Sequence, residues 1–382
     1  MKKIRFGIIG LGNQGSTYVL KLFDEGKIEN GCVSAMCDIN PAKIERIKSK
    51  TTNSSARYFI DYKEMLGSGL CDAVLVETPH YLHPEMAEEC LKRNIHVICE
   101  KPAGVYTAQV KEMNAAAEKS EAKFAVMFNQ RTDCVYRKMR EIIAAGGIGR
   151  LQRVTWIITD WYRSQFYYDT GSWRATWAGE GGGVLINQCP HQLDLIQWVT
   201  GLRPQKVRAF CHFGKWHDIE VEDDVTAYLE YANGATGDCP GDNRFEVLGT
   251  MGKLVCDGKT LEYDRLETDE RTFNATYRGG FGTPKWERVP VEITGENTQH
   301  AGILTNFARA IRGKEPLFVD GKEGIYGVEL MNAMYLSTWL QETVSLPVDE
   351  DVYLAELNKR IAASRVKTGT ARVLDTSGTY GR

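Results

Sequence analysis

Up to residue 150 the chain alternates between short, almost continuously apolar runs and longer stretches whose apolar residues recur every three or four positions. The runs are Ile4–Ile9, Val33–Cys37, Arg57–Phe59, Ala73–Thr78, Ile95–Cys99 and Phe124–Phe128. Between them lie Ser16 to Phe23, a segment opened by Asn40-Pro41 with Ile44 and Ile47, and a turn at Asp61 with Met65 and Leu66. Pro84 opens a segment carrying Met86, Ala87, Cys90 and Leu91. Two further segments carry Val110, Met113 and Ala117, then Val135, Met139, Ile142 and Ile143. Continuous runs read as strands buried on both faces, and their alternation with helical periodicity predicts a parallel sheet covered by helices.

The pattern changes after Gly146-Gly147-Ile148-Gly149. Leu151 to Thr159 alternates as a half-buried strand does, and all eight tryptophans lie beyond residue 150. Val184 to Thr200, closed by Gly201, predicts a helix that kinks or starts late near Pro190, because proline removes a backbone donor. Lys206–Cys211, Val225–Tyr231, Phe245–Leu248 and Lys253–Asp257 predict a meander of strands. The Asn233-Gly234 turn calls for a returning strand. Asp238-Cys239-Pro240-Gly241 arrives so soon that this strand must be shortened or absent. Helices are expected from His300 through Ile311 and from Ile325 to Leu340. The division expected is an α/β dinucleotide-binding domain over 1–130, a substrate and oligomerisation domain over 131–366, and a polar tail over 367–382 that could reach a neighbour.

Composition narrows the function. A net charge of −3 leaves no basic footprint for nucleic acid or anionic lipid. No apolar run approaches the ~20 residues of a membrane span. A first strand at Ile4 leaves no room for a signal peptide. The ten cysteines are scattered without a C-x-x-C pair. That spacing fits a reduced, cytoplasmic setting and no structural zinc or other metal.

Candidate chemistry gathers just past the strand ends, where open α/β sheets bind ligands. The first run stops at Gly10-Leu11-Gly12-Asn13-Gln14-Gly15, the G-x-G-x-x-G arrangement with a strand before it and a helix after it. The second run stops at Asp38, an acid placed to take the adenosine ribose hydroxyls and to repel a 2′-phosphate. Ile39 and Asn40 follow in place of an arginine, which favours NAD over NADP. The same edge carries Thr78, Pro79, His80, His83, Glu100, Lys101, Pro102 and Asn129 as cofactor contacts, with ordinary loop polarity the competing reading for the two histidines. His96, within a strand, reads as structural. Lys101, at the mouth of this cleft and followed by proline, is placed for chemistry.

In the second part, residues 161–177 crowd aromatic and charged residues, among them Arg163, Trp173 and Arg174, which are expected to grip the substrate. Aromatic faces beside polar tips suit a polyhydroxylated ring, although a core or an interface would use the same residues. Gly181-Gly182-Gly183 permits close approach of the backbone to the cofactor. On one helix, Asn187, His191 and Asp194 would share a stripe, with His191 as acid–base group held by Asn187 or Asp194.

Taken together, the glycine turn, Asp38, Thr78-Pro79, Glu100-Lys101-Pro102, Gly146–Gly149, Trp173-Arg174, the triple glycine with His191 and Asp194, and Leu346-Pro347 resemble the glucose–fructose oxidoreductase/inositol dehydrogenase (Gfo/Idh/MocA) family. The resemblance extends to about residue 356. It implies a Rossmann domain followed by an α/β domain with a large open, mostly antiparallel sheet whose face commonly makes homodimers or homotetramers. It also implies hydride transfer between NAD and a sugar or cyclitol hydroxyl, Lys101 and His191 as the catalytic pair, and a cis Lys101–Pro102 bond. Inositol-dehydrogenase-like members carry an aspartate where this chain has Asn187, a departure that bears on the charge support of His191. Two alternatives use the same residues differently: an NAD-dependent glycosidase that oxidises its sugar transiently, and a non-enzymatic dinucleotide sensor.

Overall fold

The computed structural model describes residues 3–158, 163–238, 243–279 and 282–367. The first sheet contains β1 (Ile4–Ile9), β2 (Gly31–Cys37), β3 (Arg57–Phe59), β4 (Ala73–Val76), β5 (His96–Cys99) and β6 (Phe124–Val126). They pair in parallel in the order β3-β2-β1-β4-β5-β6. Every residue of β4 and β6 is buried, as continuous apolar runs require. The order reverses between β1 and β4, and there the ligand crevice of an open α/β sheet forms.

Local chemistry starts the intervening helices. Asn40 accepts from the Ala42 N–H at 3.0 Å with Pro41 as first helical residue, and Asp61 accepts from the Lys63 N–H at 2.6 Å. Such a cap contributes about 1 kcal/mol. The first helix departs from the simple expectation: Asn13–Thr17 is α-helical and Tyr18–Phe23 continues as a π-helix. The wider turn accompanies complete burial of Tyr18 against Glu100.

The second sheet takes β7 (Leu151–Ile157), β8 (Pro204–Phe213), β9 (Glu222–Tyr231), β10 (Thr236–Asp238), β11 (Arg244–Gly249), β12 (Gly252–Cys256), β13 (Leu261–Leu266), β14 (Trp286–Val289) and β15 (Val344–Ser345). Its order is β14-β13-β12-β11-β7-β10-β9-β8-β15. The strand in question after Gly234 is present but short: β10 runs antiparallel to β9 and parallel to β7 over three residues. Cys239, Pro240 and Gly241 lie outside the described residues, as does the expected polar tail beyond Lys367.

Helix Gly324–Leu340 packs on the inner face of this sheet, its Ser337 hydroxyl accepting from the Ala209 N–H at 3.0 Å. It also reaches the first domain. Fully buried Asn332 accepts from the Thr107 N–H at 3.1 Å and donates to the Val105 carbonyl at 2.9 Å. Leaving either backbone group unpaired would cost about 1–3 kcal/mol, so this asparagine ties the helix to both domains. No helix of the described residues is long and apolar enough to cross a membrane.

Candidate active site

The glycine turn is built as its spacing requires. Gly10 has φ +99°, and a Cβ there would strike the Glu77 carbonyl. A Cβ on Gly15 would strike the carbonyl of Gly10. At Gly12 a Cβ would meet nothing within 4 Å. Open space at the middle glycine is the room a pyrophosphate needs. Asp38, 5 % exposed, accepts from the N–H groups of Leu11 (2.8 Å) and Asn40 (2.9 Å) and from Lys43 Nζ (3.2 Å). Arg46 closes the turn from outside by donating to the Leu11 carbonyl and the Ser16 hydroxyl, both at 3.0 Å. These residues fit a dinucleotide.

Two expected cofactor contacts have other work. The ring nitrogens of His83 lie 2.8 Å from the Pro102 carbonyl and 2.7 Å from the Thr78 carbonyl. His80 Nδ1 lies 3.0 Å from the Glu180 carbonyl, and its ring stands edge-on to Trp173. Both imidazoles are buried, and desolvation pushes their pKa values down, while the two carbonyls facing His83 push its value back up. Both rings brace the cleft loops through these backbone carbonyls. Asn129 donates to Gln299 Oε1 at 2.5 Å. His96 Nδ1 accepts from the Lys123 N–H, a structural role as expected.

Lys101 follows β5, with its peptide bond to Pro102 cis. Its Nζ crosses to the second domain and donates to the backbone carbonyl of Asn187 at 2.7 Å. Burial pushes the ammonium's pKa down, the Glu100 and Glu180 carboxylates raise it, and the Arg174 and Arg163 charges lower it again. Glu100 accepts from the Tyr18 hydroxyl at 2.6 Å and from the Lys101 N–H at 3.0 Å. His191 is 6 % exposed, and its Nδ1 is buried without a hydrogen-bond partner among the described residues. Desolvation, then the nearby Lys101 and His300 charges, hold its pKa well below the usual histidine value. At neutral pH it is an uncharged base.

The single stripe of Asn187, His191 and Asp194 does not form. The segment is two helices, Val184–Asn187 and Pro190–Thr200, broken where proline cannot continue the bond pattern. Asp194 turns to Arg131, pairing at 2.5 and 2.8 Å, and Arg131 also reaches Glu323 at 2.5 Å. The Asn187 side chain donates to Glu180 and accepts from the Tyr167 hydroxyl at 2.9 Å. Neither residue holds His191, which corrects that expectation.

The residues expected to grip the substrate do converge. Arg174 donates to the Tyr167 hydroxyl at 2.7 Å, and its guanidinium lies over the rings of Tyr167 and Trp173 at 4.5 and 4.7 Å. The Arg163 guanidinium lies 5.3 Å from the Tyr167 ring centroid. Sequence reasoning missed Glu180, Glu222 and His300. Glu180 directly precedes the triple glycine, a position that could have drawn notice. Glu222 accepts from the N–H groups of Gly183 and Leu185 at 3.0 and 2.9 Å. His300, 3.3 Å from Gln14 of the glycine turn and 5.6 Å between ring centroids from Tyr18, is desolvated to a pKa of about 4.

Cleft and sheets together define an NAD-binding oxidoreductase. Residues 4–128 match the oxidoreductase family's NAD-binding Rossmann fold and residues 136–255 its GFO/IDH/MocA C-terminal domain, so the chain belongs to the Gfo/Idh/MocA family. It is similar to myo-inositol 2-dehydrogenase of Thermotoga maritima, with 24% identity over 363 residues, 91% of this chain and 99% of that protein. Among solved structures it resembles the WlbA dehydrogenase of Chromobacterium violaceum in complex with NADH and UDP-GlcNAcA, at TM-score 0.77 and 27% identity, covering 91% and 97% of the two chains. The Bordetella pertussis WlbA dehydrogenase aligns at TM-score 0.76 and 25% identity, covering 91% and 99%.

Proposed function

We propose that the protein oxidises a secondary hydroxyl of a sugar or cyclitol, with NAD as the redox partner. The observation that carries this reading is the meeting of the half-buried Lys101 ammonium, tied to Asn187, with the uncharged His191 at the mouth of the glycine-turn cleft. Gly10 to Gly15, Asp38, Thr78, Pro79, Glu100 and Asn129 would hold the dinucleotide, and NAD when bound supplies an acceptor for the hydride that leaves the substrate carbon. The chain's own residues then manage the proton. Lys101 donates a hydrogen bond to the substrate oxygen and stabilises the alkoxide character that grows there. His191 takes the hydroxyl proton, a role that needs a base neutral at the working pH. The C–O bond becomes a carbonyl, and the enzyme is left with one additional proton. Arg163, Trp173 and Arg174, gathered about Tyr167, offer aromatic faces and donors to the ring and hydroxyls.

The test is a panel of sugars and cyclitols incubated with NAD, read as net NADH formation, in wild type and Lys101→Met. Wild type should accumulate NADH with at least one compound. The variant should lose roughly 10²–10⁴ in kcat with little change in NAD affinity. Cleavage of a glycoside without net NADH would point to transient oxidation instead. Near-wild-type turnover in Lys101→Met would remove the mechanism.

A further inference from the structure

One buried carboxylate has no task in that scheme. Glu180 is 1 % exposed, and its Oε2 accepts from the Ala175 N–H at 2.6 Å. Ala175 itself sits at φ +50°, a conformation that L residues rarely adopt. Glu180 Oε1 accepts from the Asn187 amide and lies 3.6 Å from Arg174 Nη1. Asn187 Oδ1 accepts from the Tyr167 hydroxyl at 2.9 Å, and that oxygen accepts from Arg174 at 2.7 Å. Four side chains thus close a ring, and the backbone carbonyl of one of them, Asn187, is the acceptor for Lys101 Nζ.

Charge makes the same connection. The groups facing Lys101 are Glu100 beside it in sequence, Glu180, Arg174 and Arg163 from the second domain, and the imidazoles of His80, His83, His191 and His300. Burial pushes the pKa of all four imidazoles down, away from the charged form. Two carboxylates therefore stand against two guanidiniums around a desolvated ammonium. Removing either carboxylate tips the balance against the charged lysine.

We propose that Glu180 is a positioning residue for the oxidation: through the ring with Asn187, Tyr167 and Arg174 it fixes the carbonyl that aims Lys101, and it is the second-domain counter-charge to that ammonium. The proposal rests on the dehydrogenase reading for its kinetic consequence but not for its electrostatic one. Glu180 touches neither the reacting atoms nor the cofactor site and acts only through its neighbours.

The experiment follows the pH dependence of acylation of Lys101 by acetic anhydride, read peptide by peptide in a mass spectrometer, alongside steady-state kinetics. Glu180→Gln keeps the size and loses the charge, and its Lys101 midpoint should move down by about one pH unit. Lys92, paired with Glu88, should keep its midpoint as an internal control. Glu180→Asp retains the charge and should restore most of the midpoint even if the shorter side chain loosens the ring. In the kinetics, Glu180→Gln should lower kcat roughly 10- to 100-fold while the KM for NAD stays within about twofold. A purely structural role would lower the yield of folded protein without moving the Lys101 midpoint. An unmoved midpoint in folded Glu180→Gln overturns the proposal. A wild type that reduces NAD with no sugar or cyclitol, while Glu180→Gln still lowers the Lys101 midpoint, overturns the dehydrogenase reading and leaves the Glu180–Lys101 coupling standing.

Discussion

At Gly12 a methyl group would meet no protein atom within 4 Å, whereas at Gly15 it would run into the Gly10 carbonyl. The first position faces ligand space and the second faces the fold. Gly12→Ala should therefore keep the wild-type melting temperature within about 2 °C, because a change outside the packed interior is usually worth under about 0.5 kcal/mol. NAD affinity, measured by calorimetric titration, should fall at least tenfold as the methyl group meets the pyrophosphate. Unchanged affinity would place the phosphates elsewhere. These glycines and Asp38 were legible from sequence because their geometry is local: turn, strand end and helix start are within a few residues of one another. Glu180 and His300 were not, because each acquires its meaning from a distant segment. His300 reaches back 286 positions to Gln14, and no spacing rule encodes that contact.

Pro190 shows how far an element can be read. Its missing N–H announced a break, and the helix does stop at Asn187 and resume at Pro190. What holds the first of the two helices could not be read, since it is capped from β9. Glu222, fully buried, takes the N–H groups of Gly183 and Leu185 and the Tyr335 hydroxyl at 2.8 Å. Desolvation pushes its pKa up to about 7, against a usual value near 4.5. The folded state thus binds this proton more tightly than the unfolded chain does. The resulting stability is fully present below about pH 4.5 and is lost as pH rises through about 7, a change of about 3 kcal/mol. Between pH 5 and pH 8, denaturant unfolding of wild type should show this loss, and Glu222→Gln should show less of it. Parallel wild-type and variant curves across that range would mean that Glu222 does not titrate there. Stripe arguments failed at Asp194 for a different reason. Asp194 shares the unbroken helix Pro190–Thr200 with His191, yet its carboxylate answers to the buried guanidinium of Arg131, 63 residues away, rather than to the neighbour one turn back.

On the scale of the molecule, the outer face of the second sheet carries Phe210, Tyr228, Leu248 and Trp286, all exposed. Ion pairs such as Lys206–Glu230 and Arg288–Glu262 lie among them. Apolar residues spread over an open sheet face and rimmed by charge suit burial against a second copy of the chain. Phe210→Glu combined with Tyr228→Glu should halve or quarter the mass found by light scattering while leaving NAD binding intact. A wild type that is already monomeric at micromolar concentration would rule out this use of the face. The sheet itself was expected as a meander, and its two ends are: β8 pairs with β9, and β7, β11, β12, β13 and β14 follow one another antiparallel. Between these halves lies β10, three residues long. Among the described residues, the pairings of this short strand with β9 and β7 are what join the two halves in the sheet order. The segment bearing Arg163, Trp173 and Glu180 follows β7 in the chain, and at Gly183 it is fastened to Glu222 of β9 in the other half. Residues 163–183 therefore bridge the two halves of the sheet, and the carbonyl that receives Lys101 lies four residues beyond the point where the bridge is tied to β9.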